Sequence, residues 1–550
     1  MKRILILSSM ASALRNAWAF SKYHPFLHAE KALVLNNRMN LSMSANGVQE
    51  EQEQEIASKS EAIANDGRYD DVLDTTNLRD QLKVAHSIPK RTLSSNDVFC
   101  NRELRLGSIR GIGFDMDYTL VQYHEPEFGV LAFDGAKEKL VEKYGYPEEV
   151  LEFNFDNSRW TRGLIIDTQR GNFLKVDRHK YVRLAYHGLR PLESEERKVI
   201  YSKSFNKVMS FTEKSFVDMD TLFQIVDADL FAKIIDLKDK GESELLNSKS
   251  YAAIYKDIRA SVDLCHRDGV IKDEVARNPS KYIKLDTGMI DMLRRYRDAG
   301  VNTFLLTNSL WEYTSVAMNY LYHETEDYDP SRKDEWLQLF DLCIVGSCKP
   351  AFMLDPYLNL FRVDTKTGAL ANTDGLFDIE ALNSPEQSGA AAFLFKGKVF
   401  QGGNWQHLHA LLEIEAGEDV LYVGDHLYSD VLRSKRTLGW RTAMIVPELE
   451  KEMEDFRRLA PLEKQIADLR SLREELSSYA DLLRRDLNHS TDKKKSEEIV
   501  ETLEKIALDD AKIKEVCAKM NYDYHMGFHP IWGQMFRAGY QVSSLVNDAH

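Results

Sequence analysis

GIGFDMDYTL, residues 111–120, decides how the rest of this chain is read. The apolar run 109–114 has the character of a buried strand and contains two glycines, Gly111 and Gly113. Asp115 and Asp117 follow at once. At the exit of such a strand both would lie on the carboxyl edge of a sheet, where open α/β sheets bind their ligands. Two carboxylates there are costly: about 4 Å apart at an effective dielectric near 20, like charges repel by roughly 4 kcal/mol. A pair of that kind implies a cation, a proton or a reaction that makes use of it.

Three later apolar runs end in polar residues of complementary kinds. Residues 301–306 (VNTFLL) end in Thr307, Asn308 and Ser309. Ser309 is placed to N-cap an amphipathic helix over 311–322, gathering hydroxyls and amide N–H groups where an anion could sit. Residues 342–345 lead towards Lys349 and Pro350, and residues 420–423 (VLYV) end in Gly424, Asp425 and His426. Asp430 stands five residues beyond Asp425. Taken singly, these could be a capping pair, a solvated lysine, a turn aspartate and a helix cap. Their order, each closing an apolar run, favours one shared site. His426 reads as a turn or packing residue.

DMDYTL at 115–120, TNS at 307–309, KP at 349–350 and GDHLYSDVLRSKRTLGWRT at 424–442 together resemble the haloacid dehalogenase superfamily. Within it, the chain looks like the cytosolic purine 5′-nucleotidase family. RGLIIDTQRGNFLKVD at 162–177, VDTKTG at 363–368 and WGQMFRAGYQ at 532–541 extend the likeness over residues 95–550. The resemblance implies that Asp115 attacks phosphorus and that Asp117 serves as general acid and then base. It implies phosphate contacts from Thr307, Asn308 and Ser309, with Lys349 neutralising charge. It implies Mg²⁺ held by the Asp115 side chain, the Asp117 main-chain carbonyl and Asp425, with Asp430 behind them. The expected activity is Mg²⁺-dependent removal of the 5′-phosphate of nucleoside monophosphates, purine ones preferred, through an aspartyl-phosphate. Two alternatives stay open: phosphotransfer to a second nucleoside, and a non-catalytic interaction protein working through a helical hairpin.

The fold class expected is α/β: a haloacid-dehalogenase-like doubly wound parallel sheet with an inserted cap domain and a C-terminal helical hairpin. Residues 95–124 and 286–448 would form the catalytic core, and 125–285 the cap that selects substrate. In the cap, Phe173 reads as core rather than as a platform for a purine. Residues 201–220 depart from the base-recognition segment of purine-specific relatives; Lys203, Lys207, Lys214 and Asp218 could replace those contacts. In 449–522, Leu462, Ile466, Leu469, Leu476, Leu483 and Leu487 follow a seven-residue repeat, broken at Arg473 and Ala480. After a polar turn at 488–495, Ile499, Leu503, Ile506, Ile513 and Met520 continue it, which makes an antiparallel hairpin and a candidate contact for a homo-oligomer. Residues 523–550 would return to the core.

Composition bounds the partners. A net charge of −15 and a pI near 5.6 argue against nucleic acid, while a small nucleotide needs only a local cation cluster. No stretch approaches the ~20 apolar residues that span a bilayer. The cysteines (Cys100, Cys265, Cys343, Cys348, Cys517) are odd in number and scattered, so they read as buried or half-buried thiols rather than a disulfide framework. Residues 1–29 carry Lys2, Arg3, Arg15 and Lys22 and no acid, the composition of an organellar transit peptide (mitochondrion or plastid). Without that address the chain would be cytoplasmic. Residues 1–94 as a whole read as targeting or disordered segment, with a solvated linker at 49–72.

Overall fold

Gly111–Phe114 is a fully buried strand at the middle of a large sheet. The computed structural model to which it belongs describes residues 4–6, 98–100, 104–201, 211, 213–323, 333–373, 394, 397–538 and 541–542. Across the sheet the order is Leu370–Asn372, Leu360–Val363, Val399–Gly402, Leu342–Val345, Asn302–Leu306, Gly111–Phe114, Val420–Gly424, Arg441–Ile445, Ile4–Ile6, Phe99–Cys100. The six strands from Val399–Gly402 to Arg441–Ile445 run parallel. From the central strand the chain builds first to one side and then to the other, which puts the switch point of the α/β sheet beside Phe114.

The glycines of the central strand have a packing reason. Gly113 lies opposite Phe304 on one neighbour and Tyr422 on the other. A Cβ at Gly113 would come within 2.1 Å of the Phe304 ring and 2.8 Å of the Tyr422 ring. Those rings belong to a core of Phe304, Leu306, Leu342, Ile344, Phe400 and Trp440 that has no room to yield. Gly113→Ala is therefore expected to destabilise by about 1–3 kcal/mol through overpacking. The check is the urea midpoint, which an accommodating core would leave where it is.

Between the first and second polar loops an insert folds on its own sheet. Its antiparallel order is Arg190–Pro191, Val182–His187, Asn172–Val176, Ile165–Asp167, Phe216–Asp218. Helices Glu127–Tyr144, Gln224–Asp239 and Tyr251–Arg267 pack against one another beside it. Phe173 is buried here against Trp160 and Phe231, with ring centroids 4.5 and 6.0 Å away. It is a core residue. Lys214 and Asp218 are exposed, and Lys203 and Lys207 lie outside the described residues.

A second compact unit holds the helices Leu449–His489 and Lys493–Met526. Leu459, Leu462, Ile466 and Leu469 close against Ile513, Cys517, Met520, Tyr524 and Phe528. The break in the repeat at Arg473 is filled by an ion pair, its Nε 2.7 Å from Asp510 on the other helix. The turn is shorter than the polar stretch suggested, because Asp492 accepts from the Lys494 and Lys495 amides and draws those lysines into the first helical turn. Among the described residues, no helix is long and apolar enough to cross a membrane. The transit-peptide and linker readings fall outside the described residues, except that Ile4–Ile6 forms a strand between Arg441–Ile445 and Phe99–Cys100.

Candidate active site

Four parallel strands release their chains at one edge, and the Lys349 ammonium is where three of them meet. Its Nζ lies 2.9 Å from Asp115 Oδ1, 2.9 Å from Asp430 Oδ1 and 2.9 Å from the Tyr422 hydroxyl. Tyr422 in turn donates to the Leu306 carbonyl at 3.0 Å. Each of the three ammonium protons thus has an oxygen to meet. Asn308 fastens the turn that carries the lysine: its Oδ1 accepts from the Lys349 amide at 2.7 Å and from Ser347 Oγ at 2.9 Å, and its Nδ2 donates to the Lys349 carbonyl at 3.1 Å. The Asn308 side chain, expected to hold phosphate, is occupied in positioning the lysine.

Carboxylate oxygens of Asp115, Asp425 and Asp430 all lie within 4.8 Å of one another, and all three residues are buried. Hard oxygen donors at that separation suit a small divalent cation such as Mg²⁺. Burial pushes the Asp115 carboxyl well above the ordinary carboxylate range; Lys349 opposes this, and Asp430, Asp425 and Asp117 add to it. Asp425 is pushed up to about 7, chiefly by burial and then by Asp430. Burial alone would depress Lys349, but Asp115 and Asp430 hold its pKa well above the usual lysine value. Gly424 makes the arrangement possible, since a Cβ there would sit 2.3 Å from Asp430 Oδ2. Asp430 occupies the first turn of a wide, π-helical segment, Leu427–Leu438, the kind of local widening that recurs at functional sites.

Asp117 is held elsewhere. Its Oδ1 accepts from the Tyr123 hydroxyl and its Oδ2 accepts from Ser309 Oγ at 2.8 Å. Its carboxylate is absent from the three-acid cluster, so any bond from Asp117 to the cation would have to come from its main-chain carbonyl. The Ser309 capping expectation is corrected here: the helix begins at Trp311, and the serine hydroxyl is given to Asp117 instead. Thr307 is buried, its amide bonded to the Ile344 carbonyl at 2.9 Å and its Oγ1 accepting from the Ser309 amide at 3.0 Å. Cys348, beside the lysine, is exposed rather than half-buried, while Cys343 is buried.

The insert supplies residues that the sequence did not single out. Buried Arg162 donates to the Asp425 carbonyl at 2.9 Å and to the Ile445 carbonyl at 3.4 Å. Thr221 Oγ1 lies 3.5 Å from Asp425 Oδ2. Asp220 meets His426 Nδ1 at 3.0 Å and accepts from the Tyr428 amide at 3.1 Å. His426 is therefore an ion-pair partner of the insert; burial lowers its pKa, but Asp220 more than reverses this and brings it to about 9. Tyr422 and Tyr123 were also missed, although a tyrosine inside an apolar run is itself a signal, because its hydroxyl needs a buried partner.

Asp425 sets a pH dependence. Its folded-state pKa is raised, so between about pH 4 and 7 the folded chain keeps a proton that the unfolded chain has lost. Stability of the metal-free protein therefore falls as pH rises through that window, by of order 4 kcal/mol if Asp425 acted alone. A bound cation favours the ionised carboxylate. Mg²⁺ is expected to raise the melting temperature more at pH 8 than at pH 5; equal shifts in thermal melts at the two values would remove Asp425 from the cation site.

The model of the 5′ nucleotidase family matches residues 98–549. The chain is 31% identical over 372 residues to the 5′-nucleotidase domain-containing protein 2 of Homo sapiens, covering 65% of this chain and 64% of that protein. For the Rattus norvegicus protein of the same name the identity is 30% over 372 residues, covering 65% of this chain and 60% of the relative. The matched region thus spans less than two thirds of the length of these curated relatives.

Proposed function

The chain belongs to the 5′ nucleotidase family, and we propose that it hydrolyses the 5′-phosphate of nucleoside monophosphates with Mg²⁺ as cofactor and Asp115 as nucleophile. The observation that carries this reading is the buried clustering of Asp115, Asp425 and Asp430, two of them, Asp115 and Asp430, paired with one lysine, with Asp117 held apart on hydroxyls. Three clustered acids are expensive to bury, and a protein that only bound partners would have no use for them.

In the reaction so assigned, Asp115 attacks phosphorus and becomes an aspartyl-phosphate while the bond to the sugar oxygen breaks. Asp117 gives that oxygen a proton, then takes one from the water that hydrolyses the intermediate. Lys349 offsets the charge on Asp115 and the phosphoryl oxygens, and the Thr307 hydroxyl lies at the same edge. Bound Mg²⁺, with Asp115 and Asp425 as its side-chain ligands and Asp430 beside them, would supply further neutralisation of the phosphoryl charge. Purine preference rests on the resemblance of the core motifs; base contacts would come from the insert.

The test is phosphate release from the common nucleoside monophosphates and from sugar phosphates, each with Mg²⁺ and with chelator. Mg²⁺-dependent release that favours nucleotides is the expected result. Equal release from sugar phosphates would replace the nucleotide assignment with a general monoesterase.

A further inference from the structure

The grip on Asp117 involves more than the two hydroxyls that touch it. Tyr123 Oη lies 2.9 Å from Tyr313 Oη, so the contact to Asp117 continues into a second buried hydroxyl. Tyr123 belongs to the short strand Gln122–Tyr123, paired with Ile283–Lys284 at the far end of the insert. Tyr313 sits on the helix Trp311–His323, which follows Ser309 directly. Asp117 is thus held from its own loop and from the second motif at once.

The rings are fixed as firmly as the hydroxyls. Tyr123 stacks on Phe128 with centroids 4.2 Å apart and meets the edge of Tyr118 at 5.1 Å. Tyr118 adopts φ +52°, a left-handed conformation that bulky residues rarely take. It is held there by a 2.7 Å bond from its hydroxyl to Glu125 and by ring contacts to Phe128 and Phe223. Strain of that kind persists only where surrounding structure enforces it. Burial pushes the Tyr123 and Tyr313 hydroxyls upward in pKa, so both stay neutral hydrogen-bonding groups.

We propose that Tyr123 and Tyr313, with Ser309 on the opposite oxygen, are positioning residues that fix the Asp117 carboxyl for proton transfer to the leaving group. The proposal rests on the hydrolase reading above. In the step concerned, the bond from Asp115 Oδ to phosphorus forms, the bond from phosphorus to the sugar oxygen breaks, and the Asp117 proton goes to that oxygen. A tyrosine hydroxyl both donates and accepts. Tyr123 can therefore serve Asp117 with or without its proton, with Tyr313 as the complementary partner each time. Tyr123→Phe removes that hold, Tyr313→Phe takes away only its complementary partner, and both leave the rings packed.

Kinetics with two substrates separate orientation of Asp117 from general damage. One is a nucleoside 5′-monophosphate. The other is its analogue with sulfur as the bridging 5′ atom, whose thiolate departs without a proton. Tyr123→Phe is expected to lower kcat/KM for the oxygen ester by about 10- to 100-fold; this parameter ends at departure of the leaving group and so excludes the hydrolysis of the aspartyl-phosphate that both esters share. For the sulfur ester the loss should stay under about threefold. Tyr313→Phe and Ser309→Ala should show the same split at smaller size, and they carry the test if circular dichroism shows Tyr123→Phe unfolded. Equal losses on both esters, or no loss on either, overturn the proposal. So does a wild type that turns over the oxygen ester and not the sulfur one. A wild type inactive on both with Mg²⁺ instead removes the hydrolase reading itself, a distinct result from failure of the tyrosine pair.

Discussion

Asp115→Asn is expected to stop phosphate release, a fall of roughly four to six orders of magnitude, the scale on which enzymes lose rate with their nucleophile. The amide keeps the size and shape of the side chain and cannot attack phosphorus. It can still accept from the Met116 amide through its oxygen, as Asp115 Oδ1 does at 2.8 Å. Charge is the second consequence. Asp115 is buried beside Asp425 and Asp430, and burial is the main force raising its pKa. Removing its charge relieves that repulsion, while Lys349 keeps Asp430 as partner. The metal-free variant should therefore melt at or above the wild-type temperature. Inactivity with an intact melt supports Asp115 as nucleophile, and turnover at the wild-type rate sinks the assignment.

What the sequence could show of this site was local. A parallel strand buried on both faces must be apolar along its length, so the runs ending at Phe114, Leu306, Val345 and Gly424 stood out with polar residues just beyond each. The helical hairpin was legible for a similar reason, since a seven-residue repeat needs no knowledge of distant contacts. Contacts made across the fold were not legible. Nothing in RGLIIDTQRG indicates that Arg162 reaches the Asp425 carbonyl, or in MDTLF that Asp220 and Thr221 reach the Gly424–Asp425–His426 turn. Ser309 shows the same gap from the other side. Its position fitted an N-cap by local rules, and Asp117, 192 residues away in sequence, took the hydroxyl instead. The insert is the least legible region, because its contacts to the sheet edge follow shape and not period.

Lys349→Met should produce the largest loss of stability. The side chains are of similar length, so the cavity is small and the change is electrostatic. The lysine is fully engaged by Asp115, Asp430 and Tyr422, and both carboxylates are buried. Removing one partner of a buried ion pair leaves uncompensated charge and costs about 3–5 kcal/mol. The acids can escape part of that cost by binding a proton, so destabilisation should be greater at pH 8 than at pH 5. Mg²⁺ can also offset part of it, and the cation should raise the melting temperature of the variant more than that of the wild type. Activity should not return with Mg²⁺, because the ammonium donates directly to Asp115, the carboxylate proposed as nucleophile, and the cation does not replace that hydrogen bond. Lys349→Met combined with Asp430→Asn separates the two roles: it removes one of the stranded charges, so most of the lost stability should come back while phosphate release stays absent. If the single variant melts like the wild type, the ammonium does not hold these acids in place, and the electrostatic account of the cluster is wrong.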